Sequence, residues 1–395
     1  MARTVLHLIP SLEVGGAETL LLDLVRGTGP GRYRHRVVSM LPGGALVGAF
    51  RSAGVTAASL GMRSGLPDPR GYLRLRQILR AERPLLLHAW MYHANLLGLA
   101  AAARVRPAIP VVWTLHAAAL DFGQYSPLTR LATFAGAHLA GRPAAVVANS
   151  EATRAYHARL GYRPREWTVI HNGVDVRRFK PDPAARTAVR EELGVPADAR
   201  LVGMAARWDP MKDHATFLRA AAEVGAIDPR AHFVLAGHGI TRENGALARL
   251  IAEMDAVAPR VHLLGLRRDM PRVNAALDVV AVTSVSGESF CLAAAEAMAC
   301  GVSCVVTDLT FLPDLVGDTG VVVPLRSPSD LAAAITRLLG RTDQERNAAS
   351  ARARERIATH FSLDAMVAGY EALYARLLHR APAADPLAAA GGAHA

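Results

Sequence analysis

A regular alternation of short apolar segments and longer helical segments constrains the fold of this chain more than any other feature. The apolar segments lie at 4–9, 35–41, 85–90, 111–116, 144–150 and 167–174 in the first half, and at 201–207, 232–239, 261–266, 278–284, 303–308 and 320–324 in the second. Helical stretches such as 92–104, 128–140 and 151–160 separate them. Because strands that alternate with helices form parallel sheets covered on both faces, the sequence predicts an α/β fold with doubly wound sheets.

The composition changes near residue 180, and this change divides the series into two domains. Residues 175–200 are charged and carry prolines, which is typical of a linker that runs into a short helix. A chain of 395 residues is also too long for one ordinary core. We predict an N-terminal Rossmann-like domain at 1–178, a C-terminal Rossmann-like domain at 179–363, a final helix at 364–381 and a disordered tail at 382–395.

The net charge of +11 resides in the first half of the chain. Residues 1–180 hold 23 basic against 9 acidic side chains, whereas residues 181–395 hold 22 against 25. A basic half suits nucleic acid, an anionic membrane or an acidic substrate, but no aromatic residues interleave the arginines, which disfavours nucleic acid. The segment RGYLRLRQILRAERP at 70–84 fits two interpretations, a solvated helix face or a helix that docks on anionic lipid.

The sequence predicts a cytoplasmic protein, and peripheral association with the inner face of the cell membrane stays open. The apolar run at 5–10 is too short for a signal peptide, and no stretch approaches the length of a membrane span. Cys291, Cys300 and Cys304 show no CxxC pair and no accompanying histidines. We therefore expect core thiols in a reducing compartment, and no metal site.

The stretch SVSGESFCLAAAEAMACG at 284–301 places two carboxylates near the start of a predicted helix. The helix begins near Cys291, and its first amides have no intrahelical partner, so they can hold a diphosphate. Glu288 lies in the loop before it, and Glu296 lies more than a turn inside. A helix end that binds anions and is flanked by two carboxylates can bind a phosphate and sugar hydroxyls at once. The alternative is one capping acid and one solvated helix acid.

The loop ARWDPMKDH at 206–214 follows another strand and places Arg207 and Lys212 five residues apart. A guanidinium fork and an ammonium group together suit a diphosphate. Lys212 is one of only two lysines beside 43 arginines, which indicates a specific demand for lysine. The alternative is a solvated surface loop.

Two features of the first half follow strand ends. Gly15 and Gly16, in SLEVGGAET, let a ligand approach the backbone, but the pattern is neither G-x-G-x-x-G nor a P-loop. His116 ends the strand at 111–116 and is either a structural residue or part of a site.

As an ordered set, these motifs resemble the GT-B glycosyltransferases of family 4, which are retaining enzymes that use nucleotide sugars. The resemblance rests on GGAE, HNGVD, ARWDPMK, LAGHG, LLGLRRDMP and GESFCLAAAEAMACG. The last of these is the most specific, because it carries the family's two glutamates separated by seven residues.

The resemblance implies two Rossmann-like domains facing across a cleft, with the final helix crossing back to the first domain. It implies metal-independent transfer from a UDP- or GDP-sugar to a glycan or lipid-linked acceptor in cell-surface polysaccharide or glycolipid synthesis. Two alternatives remain: a sugar-nucleotide epimerase or hydrolase of the same fold, or a non-enzymatic basic binder of membrane or nucleic acid.

The resemblance also assigns roles in the second domain. Arg207 and Lys212 would hold the donor diphosphate, Glu296 the ribose, and Glu288 would face the donor sugar. The backbone of four consecutive residues would reach sugar hydroxyls and phosphate: Ser289, Phe290, Cys291 and Leu292. This chain departs from the family at Ser289 and Cys291, where the family often has glycines.

In the first domain, the resemblance implies that Gly15 and Gly16 close on the phosphates and that His116 lies near the transferred sugar. The acceptor side would come from the same domain. Its candidate residues are His93, Asn95 and Asp121.

Overall fold

The structure, a computed structural model, describes residues 3–28, 32–63, 68–118, 120 and 122–380. The chain forms two compact units. The first contains the segments up to His116, Phe122–His171 and the chain from Met366, and the second contains Asn172–Ala365. The chain passes from the first unit to the second after His171, ahead of the predicted boundary at 178. Val174 already pairs with Ser362, which also belongs to the second unit.

The first unit is built on a seven-stranded parallel sheet with the order β3-β2-β1-β4-β5-β6-β7. Its strands are β1 (Thr4–Ile9), β2 (Arg34–Ser39), β3 (Thr56–Ser59), β4 (Leu86–Trp90), β5 (Val111–Leu115), β6 (Ala145–Ala148) and β7 (Trp167–Val169). Its helices include α1 (Gly16–Gly27), α2 (Val47–Ser52), α3 (Pro69–Glu82), α4 (Met91–Ala102), α5 (Pro127–Leu139) and α6 (Glu151–Arg159). The sequence did not predict β3, because this edge strand is short and composed of small residues rather than an apolar run.

The second unit is built on a six-stranded parallel sheet with the order β10-β9-β8-β11-β12-β13. Its strands are β8 (Arg200–Ala205), β9 (Ala231–Ala236), β10 (Val261–Leu263), β11 (Val279–Val282), β12 (Ser303–Thr307) and β13 (Val321–Val323). Its helices are α7 (Pro183–Glu192), α8 (His214–Ile227), α9 (Gly245–Ala252), α10 (Met270–Ala276), α11 (Leu292–Ala299), α12 (Leu312–Val316), α13 (Pro328–Leu339) and α14 (Asp343–His360). Two parallel α/β sheets confirm the predicted fold class.

The last helix, α15 (Leu363–Arg380), belongs to the first unit from Met366 onwards. Tyr370 and Tyr374 are buried there, and the Arg376 guanidinium pairs with Glu166 just before β7. Of the helices that the structure describes, none combines the length and the apolar character that a membrane crossing requires.

Buried histidines link α15 to the centre of the first sheet. His88 Nδ1 lies 2.7 Å from the Tyr374 hydroxyl, and its Nε2 contacts Thr114 Oγ1. His7 Nε2 lies 2.9 Å from His35 Nδ1. Burial holds the pKa of His7 and of His88 well below its usual range, and it lowers the pKa of His35 to about 4. These rings are therefore neutral at pH 7.

In the second unit, close approach of two strand exits requires a glycine. A Cβ atom at Gly237, after β9, would lie 2.1 Å from the carbonyl oxygen of Ala206, after β8, and Gly237 has a φ of 152°. Trp208 N donates to His238 O at 2.8 Å across the same junction. The β8 exit loop therefore depends on this backbone contact for its position.

We expect the buried histidines to make the fold sensitive to acid. The unfolded chain binds a proton at each histidine near pH 6.5, whereas the folded chain does not until about pH 4 or below. The unfolded state therefore binds more protons between these values, and the free energy of unfolding should fall as pH falls, by about 1.4 kcal/mol per pH unit for each histidine.

Urea unfolding at a series of pH values measures this slope. His35→Gln should reduce the slope by about one proton relative to the unmodified protein. A pH-independent free energy of unfolding between pH 7 and pH 5 would contradict the expectation.

We expect Gly237→Ala to destabilise the second unit by about 2 kcal/mol or more, because the new Cβ forces the β8 and β9 exits apart and the residue keeps a strained φ. Thermal unfolding measures this loss. Gly245→Ala is the matched control, since a Cβ there meets no atom within 4 Å. Equal melting temperatures for the two variants would show that the exit loops do not depend on the close approach.

Candidate active site

The two loops that the sequence singles out in the second half lie at the point where the strand order of the second sheet reverses. The chain leaves β8 towards β9 and returns to β11 on the other side of β8. The loop after β8 carries Arg207 and Lys212, and the loop after β11 carries Glu288. Connections that leave in opposite directions open a crevice at the carboxyl ends of such strands, and ligands of open α/β sheets bind there.

An ion pair joins the two loops. The Lys212 ammonium group contacts the Glu288 carboxylate, and their side chains are only 20% and 9% exposed. Ser284 Oγ donates to Glu288 Oε1 at 2.8 Å, and Thr310 Oγ1 donates to the Glu288 carbonyl at 2.7 Å. Ser284 therefore fixes the carboxylate, and Thr310 fixes the backbone of Glu288, independently of the lysine.

The backbone of the lysine is fixed as well. Thr283 Oγ1, at the end of β11, lies 2.7 Å from Lys212 O, and Val285 N donates to Met211 O at 2.9 Å. Asp213 adopts a left-handed conformation with a φ of 48° and caps α8 by accepting from Thr216 N at 3.2 Å. The lysine thus sits on a turn that is bonded to both neighbouring elements.

Arg207 is anchored within its own loop. Its Nε and Nη2 donate to Asp209 Oδ2 at 2.9 and 2.7 Å, and Asp209 Oδ1 accepts from Met211 N at 2.9 Å. The Arg207 side chain remains 53% exposed. Since guanidinium has five N–H donors, this arrangement orients the group and leaves donors for an anion.

A cavity of 90 Å³ lies between the loops, and Lys212, Glu288, Cys291 and Leu292 line it. The first turn of α11, at Leu292 and Ala293, opens onto it. Free amides and the helix dipole make this end of α11 attractive to anions. Ligand pockets usually measure about 300–1,000 Å³, so this cavity by itself has room for only one group of a ligand.

The charge states of the cavity follow from burial and from the ion pair. Burial would lower the pKa of Lys212, but the Glu288 carboxylate outweighs it and raises the pKa above its usual value. Burial raises the pKa of Cys291 to about 12, and Glu288 adds to this. At neutral pH the cavity therefore presents an ammonium ion and an uncharged thiol.

Three other predicted residues flank the cavity without lining it. Glu296 is half-buried in α11. Ser289 is 9% exposed, and Phe290 is 2% exposed with its ring 5.8 Å from that of Phe311. The Phe290 side chain is therefore a core residue, and only its backbone is available to a ligand. The ligand roles of all three stay predictions.

In the first unit, the two predicted glycines differ in their surroundings. Gly15 caps α1, and a Cβ there would lie 2.4 Å from Glu18 Oε2. Ser11 Oγ donates to the other Glu18 oxygen at 3.4 Å, and burial raises the pKa of Glu18. A Cβ at Gly16 would meet no atom within 4 Å. The Glu18 carboxylate thus lies close to Gly15, whereas the space at Gly16 is open, and the ligand contacts of both glycines stay predictions.

His116 follows β5 directly and stacks on Trp90, with ring centroids 5.4 Å apart and planes 8° apart. Burial lowers the pKa of His116 to about 4, so the ring is neutral at pH 7. A neutral imidazole at a strand end can accept or donate one hydrogen bond per nitrogen.

Two of the three acceptor candidates, Asn95 and His93, lie on α4. Asn95 is 2% exposed. When its side-chain amide is oriented so that both the nitrogen and the oxygen have hydrogen-bond partners, the nitrogen donates to the carbonyl oxygen of Ala89 at 2.8 Å. His93 is half-buried on α4, and burial lowers its pKa. Asp121 lies outside the described residues. Asn95 therefore holds the β4–α4 junction, and its side chain has little surface for an acceptor.

Sequence reasoning missed the residues that support the charged groups. Asp209 orients Arg207, Ser284 bonds Glu288, and Thr310 holds the Glu288 backbone. Asp209 and Ser284 stand within four residues of the groups they support, which is a usable signal. Thr310 lies on a different loop, and only the fold brings it close.

Two family models match most of the chain. Residues 14–178 match the model described as Glycosyltransferase Family 4, and residues 199–341 match the model described as Glycosyl transferases group 1. The D-inositol 3-phosphate glycosyltransferase of Geodermatophilus obscurus is 33% identical over 290 residues, which is 68% of this chain and 63% of that protein. The protein of the same name from Mycobacterium tuberculosis (strain H37Ra) is 34% identical over 285 residues, which is 68% of this chain and 58% of that protein. The chain thus spans about three fifths of the length of these curated relatives.

Solved structures agree over nearly the whole chain. HepE of Anabaena in complex with UDP and glucose has a TM-score of 0.81 and 26% identity, and the match covers 95% of this chain and 100% of that one. Sucrose-phosphate synthase of Thermosynechococcus elongatus has a TM-score of 0.78 and 20% identity over 95% of this chain and 100% of that one, and so shares the fold. Taken together with the two parallel sheets, these matches show that the chain belongs to glycosyltransferase family 4 and has the GT-B fold.

Proposed function

We propose that this protein transfers a sugar from a UDP- or GDP-sugar to a glycan or lipid-linked acceptor, with retention of the anomeric configuration. The observation that carries the proposal is the charged Lys212 ammonium group, held at the strand-order reversal beside the open end of α11. The structural relative HepE was solved with UDP-glucose, at a TM-score of 0.79 and 26% identity, which supports a donor of this class. The D-inositol 3-phosphate glycosyltransferases support a hydroxyl-bearing acceptor.

In this proposal the second unit stabilises the leaving nucleotide. As the bond between sugar and diphosphate breaks, negative charge develops on the β-phosphate. Lys212, Arg207 and the first amides of α11 are already fixed in place, so they stabilise this charge without reorganising, which lowers the barrier. These cations would take the role that a divalent metal ion has elsewhere, so activity should persist in EDTA.

The carboxylates take complementary roles. Glu288 positions Lys212 and, from the edge of the cavity, would bind a hydroxyl of the donor sugar. Glu296, about one turn after the first residue of α11, would bind the ribose hydroxyls. The leaving phosphate would accept the proton of the attacking hydroxyl, so that no separate general base is needed. His116 would lie beside the transferred sugar, and Gly16 would let the phosphates approach α1.

The cell-surface setting is also part of the proposal. The acceptor would be a precursor of a cell-surface polysaccharide or a glycolipid, presented at the cytoplasmic face of the cell membrane. The arginine-rich first unit supports an anionic surface as partner, and on α3 Leu73 is 51% exposed between the exposed Arg70 and Arg74.

We expect Lys212→Ala to lower kcat by about 100- to 1,000-fold, because it removes a fixed cation that acts on the transition state. Lys180→Ala is the matched control, since it removes the only other lysine from an exposed position. Melting temperatures must be compared in parallel, because the variant leaves Glu288 without its ion-pair partner. A folded Lys212→Ala enzyme with unchanged kcat would refute the assignment of the diphosphate site.

We expect Glu296→Ala to weaken donor binding by about tenfold or more, since a ribose would lose a charge-assisted hydrogen bond pair. A thermal-shift screen of UDP- and GDP-sugars identifies the donor first, and titration of that donor then measures the loss. Glu355→Ala, on the exposed face of α14, is the control.

Product analysis separates transfer from the rival activities. A transferase consumes the donor at a rate that rises with added acceptor and yields a glycosylated product with retained configuration. Equal consumption without acceptor would indicate a hydrolase or epimerase of the same fold. No thermal shift with any nucleotide sugar would favour a non-enzymatic binder.

A further inference from the structure

An apolar groove lies at the amino-terminal edge of the first sheet. It runs between the last turns of α4 and α5 and the segments that lead into β5 and β6, and its volume is 680 Å³. Its apolar lining includes Leu96, Leu99, Ala100, Ile109, Ala135 and Leu139. This volume falls within the range of about 300–1,000 Å³ that is typical of ligand pockets.

Three arginines line the same groove. Arg106 precedes β5, Arg142 precedes β6 and Arg165 precedes β7, and because the strands are parallel all three come to one edge of the sheet. All three side chains are exposed. Within the described part of the chain, no carboxylate lies within ion-pair distance of these guanidinium groups, and Glu166, the acid nearest in sequence, pairs with Arg376 instead.

Helix capping accounts for only one of these arginines. Cations near a helix C-terminus complement its dipole. Arg106 Nη1 lies 3.4 Å from the carbonyl oxygen of Ala103, the residue that caps α4, and 3.0 Å from Val105 O just after it. The structure describes no comparable side-chain bond for Arg142 or Arg165. Their convergence on an apolar groove therefore calls for a different explanation.

The groove has an apolar part and a cationic part, and one class of ligand has groups that match both. An apolar trough favours a hydrocarbon chain, and three uncompensated guanidinium groups favour a phosphate, which Arg recognises through paired N–H donors. Phospholipids with a net negative headgroup carry both parts. We propose that this groove binds the acyl chain of an anionic phospholipid and that Arg106, Arg142 and Arg165 bind its phosphate.

The lipid site is separate from the proposed reaction. Gly16 and His116 lie at the carboxyl ends of β1 and β5, whereas the groove lies at the opposite, amino-terminal edge of the same sheet. Lipid binding at the groove therefore neither requires nor tests sugar transfer. It adds a fixed contact point with an anionic membrane, distinct from the exposed face of α3.

Binding of short-chain phosphatidylglycerol below its micelle concentration, measured by calorimetry on the full chain, tests the proposal. We expect saturable one-to-one binding that Arg106→Glu/Arg142→Glu/Arg165→Glu weakens by about tenfold or more. Ala100→Trp should weaken it similarly, because the indole fills the groove without changing charge. The matched control, Arg219→Glu/Arg242→Glu/Arg249→Glu, reverses the same number of charges at exposed positions of the second unit and should bind as the unmodified protein does.

Three results would overturn the proposal: no saturable binding, equal binding of phosphatidylcholine of the same chain length, or full affinity in the groove variants. Saturable binding of glycerol 3-phosphate with the same affinity would point to a phosphate site without a lipid. If Ala100→Trp fails to fold, the unmodified protein is labelled instead with phosphatidylglycerol that carries a photoreactive acyl chain, and the labelled residues locate the binding site. Labelling of residues 96–111 or 135–144 supports the groove, and labelling elsewhere overturns it.

Discussion

The ion pair between Lys212 and Glu288 is the interaction on which the candidate site depends. Two charges that are mostly withdrawn from water are costly unless each neutralises the other and both are hydrogen-bonded. Here Ser284 bonds the carboxylate, and Thr283 holds the backbone of the lysine. The pair therefore keeps a charged ammonium group at the wall of a small cavity that is largely withdrawn from water, where its field acts more strongly than it would in bulk water.

The same site shows how a departure from the family pattern is accommodated. Cys291 stands where the family often has glycine, and its φ of 69° lies in the left-handed region that glycine adopts readily. A non-glycine residue there costs about 1 kcal/mol, which the packing around the site has to offset. The buried thiol is uncharged and narrows the cavity without adding a competing anion.

In the first unit, polar residues with different roles lie at the centre and at the two edges of the sheet. Its centre is held by neutral histidines, which hydrogen-bond α15 to β4 and β1 to β2. Small residues and helix starts lie at the carboxyl edge, and three arginines without a carboxylate partner among the described residues lie at the amino edge. Part of the positive charge of the first half of the sequence thus lies around one apolar groove.

The sequence by itself determined the elements and the loops that carry chemistry. β1 was predicted with its observed bounds, and α11 to within a residue at each end, because strands buried on both faces and capped helices leave a local pattern. The predicted end of a strand was less exact where the chain leaves the first sheet. β7 ends at Val169, whereas the predicted apolar segment runs to residue 174, because the apolar Val174 already belongs to the second unit. Only the tertiary structure decided that Lys212 meets Glu288, that Arg207 turns to Asp209, and that Phe290 packs into the core. Strand order brings together residues that are 76 positions apart, and no local pattern encodes that order.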